Sequence, residues 1–525
     1  LFELISNEVS LWELHELRSH WMDNKSVIII GAGIAGLSAG CYARLNHYGT
    51  QIFEQDTRPG GLNTSWERGP YTINGGLAFL MGSGPGVGFY RIWEELGVVP
   101  RIRMINYEHF LIVEGKEDQK FYVYNDLDRL EEHMKELAPE DKGLIGDFIS
   151  GARVFIRYDM PLDKAPELLG LGDKMKLMLT KFPLLRTIGK WKKITIKDFT
   201  SRFKDPFLKE AVFQMRALFS EDVPVLLFQM ALALGHQKSA GFPEGGPLKL
   251  SQAVEHHFRE MGGEINYRAR VTKILVEKHR AVGVRLEDGS EHRADTVISA
   301  ADGRATIFEM LEGKYINPKI RGYFDRFPVS PSTLLIAFGV NRTFEDIPHS
   351  AIGTIFPLNK PVTIAGKEIE WLRPIIYNFD DSFAPAGKTV VRLIFDSDYD
   401  YWKTLRENTD DYKAEKEKIA STLIAALDER FPGFSSQVEM WDVATPITFE
   451  RYTGNWKGSA LGWDCTTETF FMPMSKTLPG LENFYMAGQW VEPGGGVPMV
   501  AASGRNVIQL ICKRDKKPFV TRLPI

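Results

Sequence analysis

One stretch constrains this chain more than any other: VIIIGAGIAGLSAGCYARLNHYGTQIFEQ, beginning at Val27. A β-branched run meets glycines at 31, 33 and 36, continues into a helix-compatible segment, and ends on a second short apolar run closed by Glu54. The order predicts strand, tight turn, helix and strand, a Rossmann-like unit with its phosphate-binding fingerprint. Gly31 makes the turn, Gly33 lets backbone approach a pyrophosphate, and Gly36 lets helix and strand pack closely. The helix start, with Ile34 and Ala35, offers unpaired N–H groups to phosphate oxygens. Glu54 accepts a hydrogen bond from a ribose hydroxyl and disfavours a 2′-phosphate, with Gln55 beside it.

The chain has 525 residues, more than one core usually holds, so two domains are expected. With 44% hydrophobic and 25% charged residues it reads as an ordinary globular protein. Its net charge of −4 gives no field that would recruit nucleic acid. Cys41, Cys465 and Cys512 are few and far apart, which points to a reducing, cytoplasmic setting and leaves no cysteine-rich metal site. No spacing suits a metal. The most apolar run, VPVLLFQMALALG at 223–235, is too short to span a bilayer and carries Pro224 and Gln229. Residues 1–21 lack the marks of a signal peptide; they read either as an upstream extension or as a docking helix.

A dinucleotide fingerprint suits NAD or FAD, and the rest of the chain chooses between them. Arg58, the pair Gly60-Gly61 with Leu62, and the pair Gly75-Gly76 imply further close backbone approaches to a long cofactor. Residues 481–511 then read as a strand from Phe484 to Ala487, a glycine-rich loop from Gly488 to Pro498, and a helix beginning near Val500. Within that loop Gly488, Gln489, Gly496, Val497 and Pro498 aim a second helix start at an electron-rich group such as a flavin edge. Two such termini at opposite ends of the chain imply one discontinuous FAD domain. A rival glycine cluster, GSGPGVG at 82–88, has the wrong spacing for NAD and reads as a loop beside cofactor or substrate.

Together, VIIIGAGIAGLSAG, FEQDTRPGG, GFPEGG, TVISAAD, TFERYTGNWKG and MAGQWVEPGGGVP resemble the phytoene desaturase family of FAD-dependent enzymes, with spacing nearest carotenoid isomerases and retinol saturases. The resemblance implies that Val271 lies against the adenosine part and that Asp302 ends the last strand of its unit. Two positions depart from the family pattern: Leu62 stands where many relatives place an arginine, and Gln489 where they place an acid.

The expected fold is α/β (α+β): a discontinuous Rossmann-like FAD-binding domain with an inserted substrate domain of mixed sheet plus helices. The FAD-binding pieces are 22–103, 241–310 and 456–525; the substrate pieces are 104–240 and 311–455. Residues 104–130 read as short strands and 126–240 as mostly helical, with Asn125-Asp126 as a cap. The segment KMKLMLTKFPLLRTIGKWKKITIK at 174–197 mixes cations with apolar residues, which suits either an anionic membrane surface or a solvated basic face on a packed helix; Pro183 divides it in two. The first option makes the protein peripheral to a membrane.

The resemblance implies an FAD-dependent oxidoreductase acting on carbon–carbon double bonds of a long lipophilic substrate (carotenoid, retinoid or other polyene lipid) by desaturation, saturation or cis-trans isomerisation. A flavin amine oxidase and a lipid-binding flavoprotein without turnover are the alternatives. Without an NAD site, electrons go to or come from a quinone, oxygen or a redox protein. Glu492, inside the flavin loop, and Arg451 and Tyr452 are the candidate catalytic residues; Arg153, Arg157 and Asp159 are weaker ones, and His256-His257 read as surface or structural.

Overall fold

The computed structural model describes residues 25–116, 118–216, 219–472 and 474–522; the segment 1–21 lies outside them. The chain opens with β1 (Ser26–Ile30), α1 (Ile34–Leu45) and β2 (Gly49–Phe53). A long excursion follows, including helices α2 (Leu171–Thr180), α3 (Phe182–Trp191) and α4 (Val225–His236). Then come α5 (Gly246–Glu260), β3 (Glu264–Asn266) and β4 (Thr296–Ser299). A second excursion holds β5 (Ser332–Val340), β6 (Ile375–Ile376), β7 (Thr389–Ser397), α6 (Thr409–Arg430) and β8 (Val438–Ala444). The chain returns with β9 (Phe484–Met486) and α7 (Val497–Arg514).

Strands from these separated stretches form one parallel sheet in the order β3-β2-β1-β4-β9. The run VIII explains why β1 sits centrally. Val27 and Ile29 pack on the side of α1 and α7, whereas Ile28 and Ile30 pack against the antiparallel ribbon built from Val271–Glu277 and Arg280–Leu286. A strand buried on both faces needs this unbroken apolar run.

The second sheet, in the order β6-β7-β5-β8, is antiparallel. Leu334, Ile336, Phe338 and Val340 of β5 share a core with Leu423 and Leu427 of α6. The alternate residues Leu335 and Ala337 face the helical excursion. Its other members include residues of α4, where the Gln229 amide donates to the Phe148 carbonyl at 2.9 Å while its Oε1 is buried without a partner. No helix among the described residues is long and apolar enough to cross a membrane.

Local expectations meet the structure in particular ways. Asp126, rather than Asn125, caps the helix Leu127–Leu137, accepting from the amides of Asp128 and Arg129; the Asn125 amide turns inward to the Tyr107 carbonyl. Pro183 does divide the basic segment, falling in the first turn of α3. The C-terminal helix, expected to begin near Val500, begins at Val497. Pro498 fits its first turn because the N–H it lacks has no intrahelical acceptor there, and Gly496 supplies the turn into it at φ 80°.

Helices α1 and α7 touch through small residues. A Cβ on Gly504 would stand 2.5 Å from the Ala35 carbonyl oxygen and 2.7 Å from the Ala39 nitrogen, and Ser38 Oγ donates to the Ala501 carbonyl at 2.6 Å. Gly504→Ala is therefore expected to cost about 1–3 kcal/mol through overpacking. Gly146→Ala, on the helix Lys142–Arg157 with only an ordinary contact near its added methyl, gains about 0.5–1 kcal/mol instead. Urea midpoints of the two variants, moving in opposite directions, check this.

Candidate cofactor and substrate cavity

Three chain regions converge on one cavity of about 1520 Å³. Ligand sites commonly measure roughly 300–1,000 Å³, so this one has room for a dinucleotide and a long second molecule together. Gly31, Gly33, Ile34, Ala35, Glu54, Gln55, Gly60, Gly61 and Leu62 line it from the first region, with Gly75 and Gly76. Val271 lines it from the middle, and Gly488, Gln489, Gly496, Val497 and Pro498 from the end of the chain. Gly36 does not face the cavity; it packs inside the turn, where a Cβ would fall 1.9 Å from the Gly31 carbonyl oxygen.

The walls suit a pyrophosphate. Neither Gly33 before α1 nor Gly496 before α7 provides a side-chain cap, so both helix starts keep amide donors open toward the cavity. Gly33 bridges to Gly60, whose amide donates to the Ala32 carbonyl at 2.9 Å; this sets two glycine turns side by side. A side chain on Gly60 would meet the Asn63 carbonyl oxygen at 2.4 Å. Glu54 ends β2 in a buried position, accepting from Ala32 N at 2.6 Å and Asp56 N at 2.9 Å. Burial pushes its carboxyl pKa up, against those two amides. Each carboxylate oxygen retains acceptor capacity for a ribose hydroxyl.

Several cavity residues lie outside the binding set expected from the sequence. Arg268 and Arg270 lie just before Val271, at the edge of the ribbon, and Ala300 and Ala301 follow β4. Asp302 accepts from Ala305 N at 2.8 Å and from Trp456 N at 2.9 Å, tying TVISAAD to TFERYTGNWKG across 154 positions. Burial holds its carboxyl at about 6. Gln489, one of the two departures from the family pattern, donates to Asn455 Oδ1 at 2.9 Å while lining the cavity, and Leu62, the other, lines it too. The segment 82–88 runs between Met81 and Phe89, both on the cavity wall.

The candidate catalytic residues are not brought together. Arg451 and Tyr452 line the cavity beside Gln55, which donates to the Tyr452 carbonyl at 3.1 Å; the Arg451 guanidinium lies 4.6 Å from the Tyr452 ring. Glu492 is turned away from the cavity lining. It pairs with Lys476, itself 3% exposed, at 2.8 Å, and Lys476 also pairs with Glu167 at 3.0 Å. Burial pushes the Glu492 pKa up and Lys476 pulls it down. Burial opposes the charge of Lys476, but the two carboxylates outweigh it and raise the ammonium pKa. Arg153 is committed elsewhere, to Glu131 at 2.7 Å and to Asp128. His256 and His257 sit on α5 beside Glu260, and no metal-binding group of acids, histidines and cysteines occurs among the described residues.

Comparison with known proteins places this geometry. Residues 34–512 match the family of flavin containing amine oxidoreductases. Similar curated proteins include a chloroplastic prolycopene isomerase of Arabidopsis thaliana, 26% identical over 91% of this chain and 81% of the relative. They also include a lycopene-forming phytoene desaturase of Pseudescherichia vulneris, 26% identical over 93% of this chain and 99% of the relative. Among solved structures, an oxidoreductase from Methanosarcina mazei has a TM-score of 0.59 at 18% identity, covering 92% of this chain and all of its own. Putrescine oxidase has a TM-score of 0.55 at 13% identity, covering 93% of this chain and 99% of its own.

Two measurements check the site. Glu54→Gln replaces a charged acceptor by a neutral one and is expected to weaken FAD binding about tenfold, near 1.4 kcal/mol, in a flavin-release titration. For Asp302 the folded pKa, about 6, exceeds its usual 3.8, so the folded state binds the extra proton. Its contribution is therefore fully present below the unfolded pKa and is lost as pH rises toward 6, a span worth about 3 kcal/mol. Urea unfolding of wild type minus Asp302→Asn should fall from pH 4 to 6 and level off above 7.

Proposed function

From membership in the flavin containing amine oxidoreductase family, which makes this chain an FAD-dependent oxidoreductase, we propose that it acts on carbon–carbon double bonds of a long lipophilic polyene. The observation that carries this reading is the character of the cavity beyond its glycine-rich walls. Phe79, Phe110, Phe228, Met230, Phe449 and Phe470 line it, a surface that gives a conjugated chain apolar contact and excludes water. The relatives named for phytoene desaturation and prolycopene isomerisation support the same substrate class.

FAD supplies hydride transfer to or from a substrate carbon. The glycines at 31, 33, 60 and 61 and the two open helix starts would hold that cofactor, and Glu54 would accept from its ribose. The aromatic wall would enclose the polyene and exclude water, so that alignment rather than a strong acid or base carries most of the rate. Desaturation removes a hydride and a proton from adjacent carbons and passes two electrons onward, to a quinone or to oxygen. Saturation runs the same bookkeeping in reverse, and isomerisation leaves it balanced. Glu492 acts as a brace in this scheme, holding the flavin loop through Lys476 to the segment around Glu167.

An amine substrate fits less well. The wall formed by the second sheet carries Arg373 and Arg392 beside Asp396 and Asp464, with no surplus of negative charge for a protonated amine.

The substrate reaches the cavity from a membrane surface. Leu171, 85% exposed, and Phe182, 59% exposed, stand out with Met175, Met178 and Leu179 on α2 and at the start of α3, and α2 buries no residue. Lys174, Lys176 and Arg186 lie among them, so apolar side chains can enter a lipid boundary while the cations meet anionic headgroups.

Anaerobic mixing tests the reaction. Oxidised and pre-reduced holoenzyme are added separately to liposomes carrying a polyene mixture. A desaturase loses flavin colour and its substrate loses two hydrogens; a saturase regains colour and its substrate gains two; an isomerase changes the isomer at constant mass. A flavin indifferent to every polyene removes the proposal. For the membrane step, Leu179→Asp with Phe182→Asp is expected to reduce co-sedimentation with phosphatidylglycerol vesicles at least tenfold without lowering flavin content. Equal binding of the variant and wild type would sink that part.

A further inference from the structure

The cavity wall formed by the second sheet is charged where a hydrocarbon needs no charge. Strand β7 reads TVVRLIFDS, and its alternation separates two faces. Val391 and Leu393 join the core shared with α6. Arg392, Ile394 and Asp396 line the cavity, with Arg373 just before β6 and Thr333 opposite Asp396 on β5.

These charges do not satisfy one another. Arg392 is 1% exposed; its Nη1 donates to the Asn74 carbonyl at 3.0 Å, and its Nε is buried without a partner. Tyr377, whose ring centre lies 5.5 Å from that guanidinium, is buried behind the wall rather than lining the cavity. Among the described residues Arg373 makes no hydrogen bond or ion pair, although it feels the charges of Arg392, Asp396 and Arg216. Burial pushes its guanidinium down to about 10, still fully charged at neutral pH. Asp396 closes no ion pair either, and burial pushes its carboxyl up despite Lys367, Arg216 and Arg373 nearby. Asp464 is the other acid on this wall.

Buried guanidinium groups are ordinarily paired, because an uncompensated charge out of water is costly. Here Arg373 has the positive charges of Arg392 and Arg216 around it and the single carboxyl of Asp396 against them, so its surroundings are net positive. An anion would offset that excess. A planar guanidinium suits a carboxylate through two parallel N–H donors, and a dianionic phosphate would meet the two acids.

We propose that the polyene carries a terminal carboxylate, which docks on Arg373 beside Arg392 while its chain lies along the aromatic wall. This rests on the polyene reading above and narrows it from a hydrocarbon to an amphipathic acid. The uncharged ester or hydrocarbon of the same length leaves these donors unpaired and is discriminated against for that reason.

The test uses FAD-loaded protein and matched pairs: a C20 polyene carboxylate with its methyl ester, and a C16 saturated carboxylate with its methyl ester. Binding is read by tryptophan fluorescence, and turnover of the polyene pair by product mass. The wild type is expected to bind each acid at least tenfold more tightly than its ester. Arg373→Met brings the acid-to-ester ratio near one. Arg373→Lys, which keeps the charge but loses the planar fork, gives an intermediate ratio and remains informative if the methionine variant folds poorly.

Equal binding of acid and ester by the wild type overturns the proposal, as does an acid preference that Arg373→Met and Arg373→Lys both leave unchanged. Acid-selective, Arg373-dependent binding without polyene turnover keeps the carboxylate site and removes the polyene reaction. Turnover of ester and hydrocarbon with no acid preference does the reverse.

Discussion

The close contact between the first and last helices sets the rest of this structure. Gly36 folds against Gly31 at the foot of α1, Gly504 of α7 sits against the Ala35 carbonyl, and Ser38 is bonded to the Ala501 carbonyl. The contacts between α1 and α7 join residues more than 460 positions apart and leave no space for larger side chains. They bring two uncapped helix starts to one cavity, so amide donors reach it from opposite ends of the chain. Everything between can then be inserted without disturbing the cofactor end, provided the strands return to the same sheet. Both excursions do, through β3, β4 and β9.

What was legible in the sequence was what the backbone demands locally. Glycines at 31, 33, 60, 61, 488 and 496 announce themselves because few other residues permit such turns and close approaches, and all six line the cavity. The unbroken apolar run of β1 and the break at Pro183 were legible for similar reasons. Long-range partners were not. Nothing around Asp302 in the sequence says that its carboxylate receives the amide of Trp456, and nothing around Glu492 says that Lys476 and Glu167 hold it. A carboxyl in a flavin loop invites an acid–base role, but its role depends on which way it turns. The alternation of TVVRLIFDSD was visible, but a charge in a strand ordinarily marks its solvent face; only tertiary packing turns Arg392 and Asp396 inward.

The same sheet therefore performs two tasks with one alternating pattern. Its outer residues, Val391 and Leu393, anchor it to α6, and this fixed core keeps the inner residues from relaxing toward one another. Arg392 spends one donor on the Asn74 carbonyl, directly before Gly75 and Gly76, so the charged wall is mechanically tied to the glycine pair at the cofactor end.

The charged wall bears on an apparent contradiction in the cavity. Aromatic walls favour any sufficiently long apolar chain and discriminate poorly between neighbours in length or saturation, since each methylene contributes only about 0.8 kcal/mol. An enzyme working on conjugated bonds must nevertheless present one bond, and not the next, to the cofactor. A slippery apolar tunnel does not set that register alone; a fixed polar stop does, because moving the chain by one bond would break a charge-assisted contact. Arg392, on a strand of the rigid sheet with its Nε unfilled, and Arg373, just before the edge strand, stand on the cavity wall where such a stop would act.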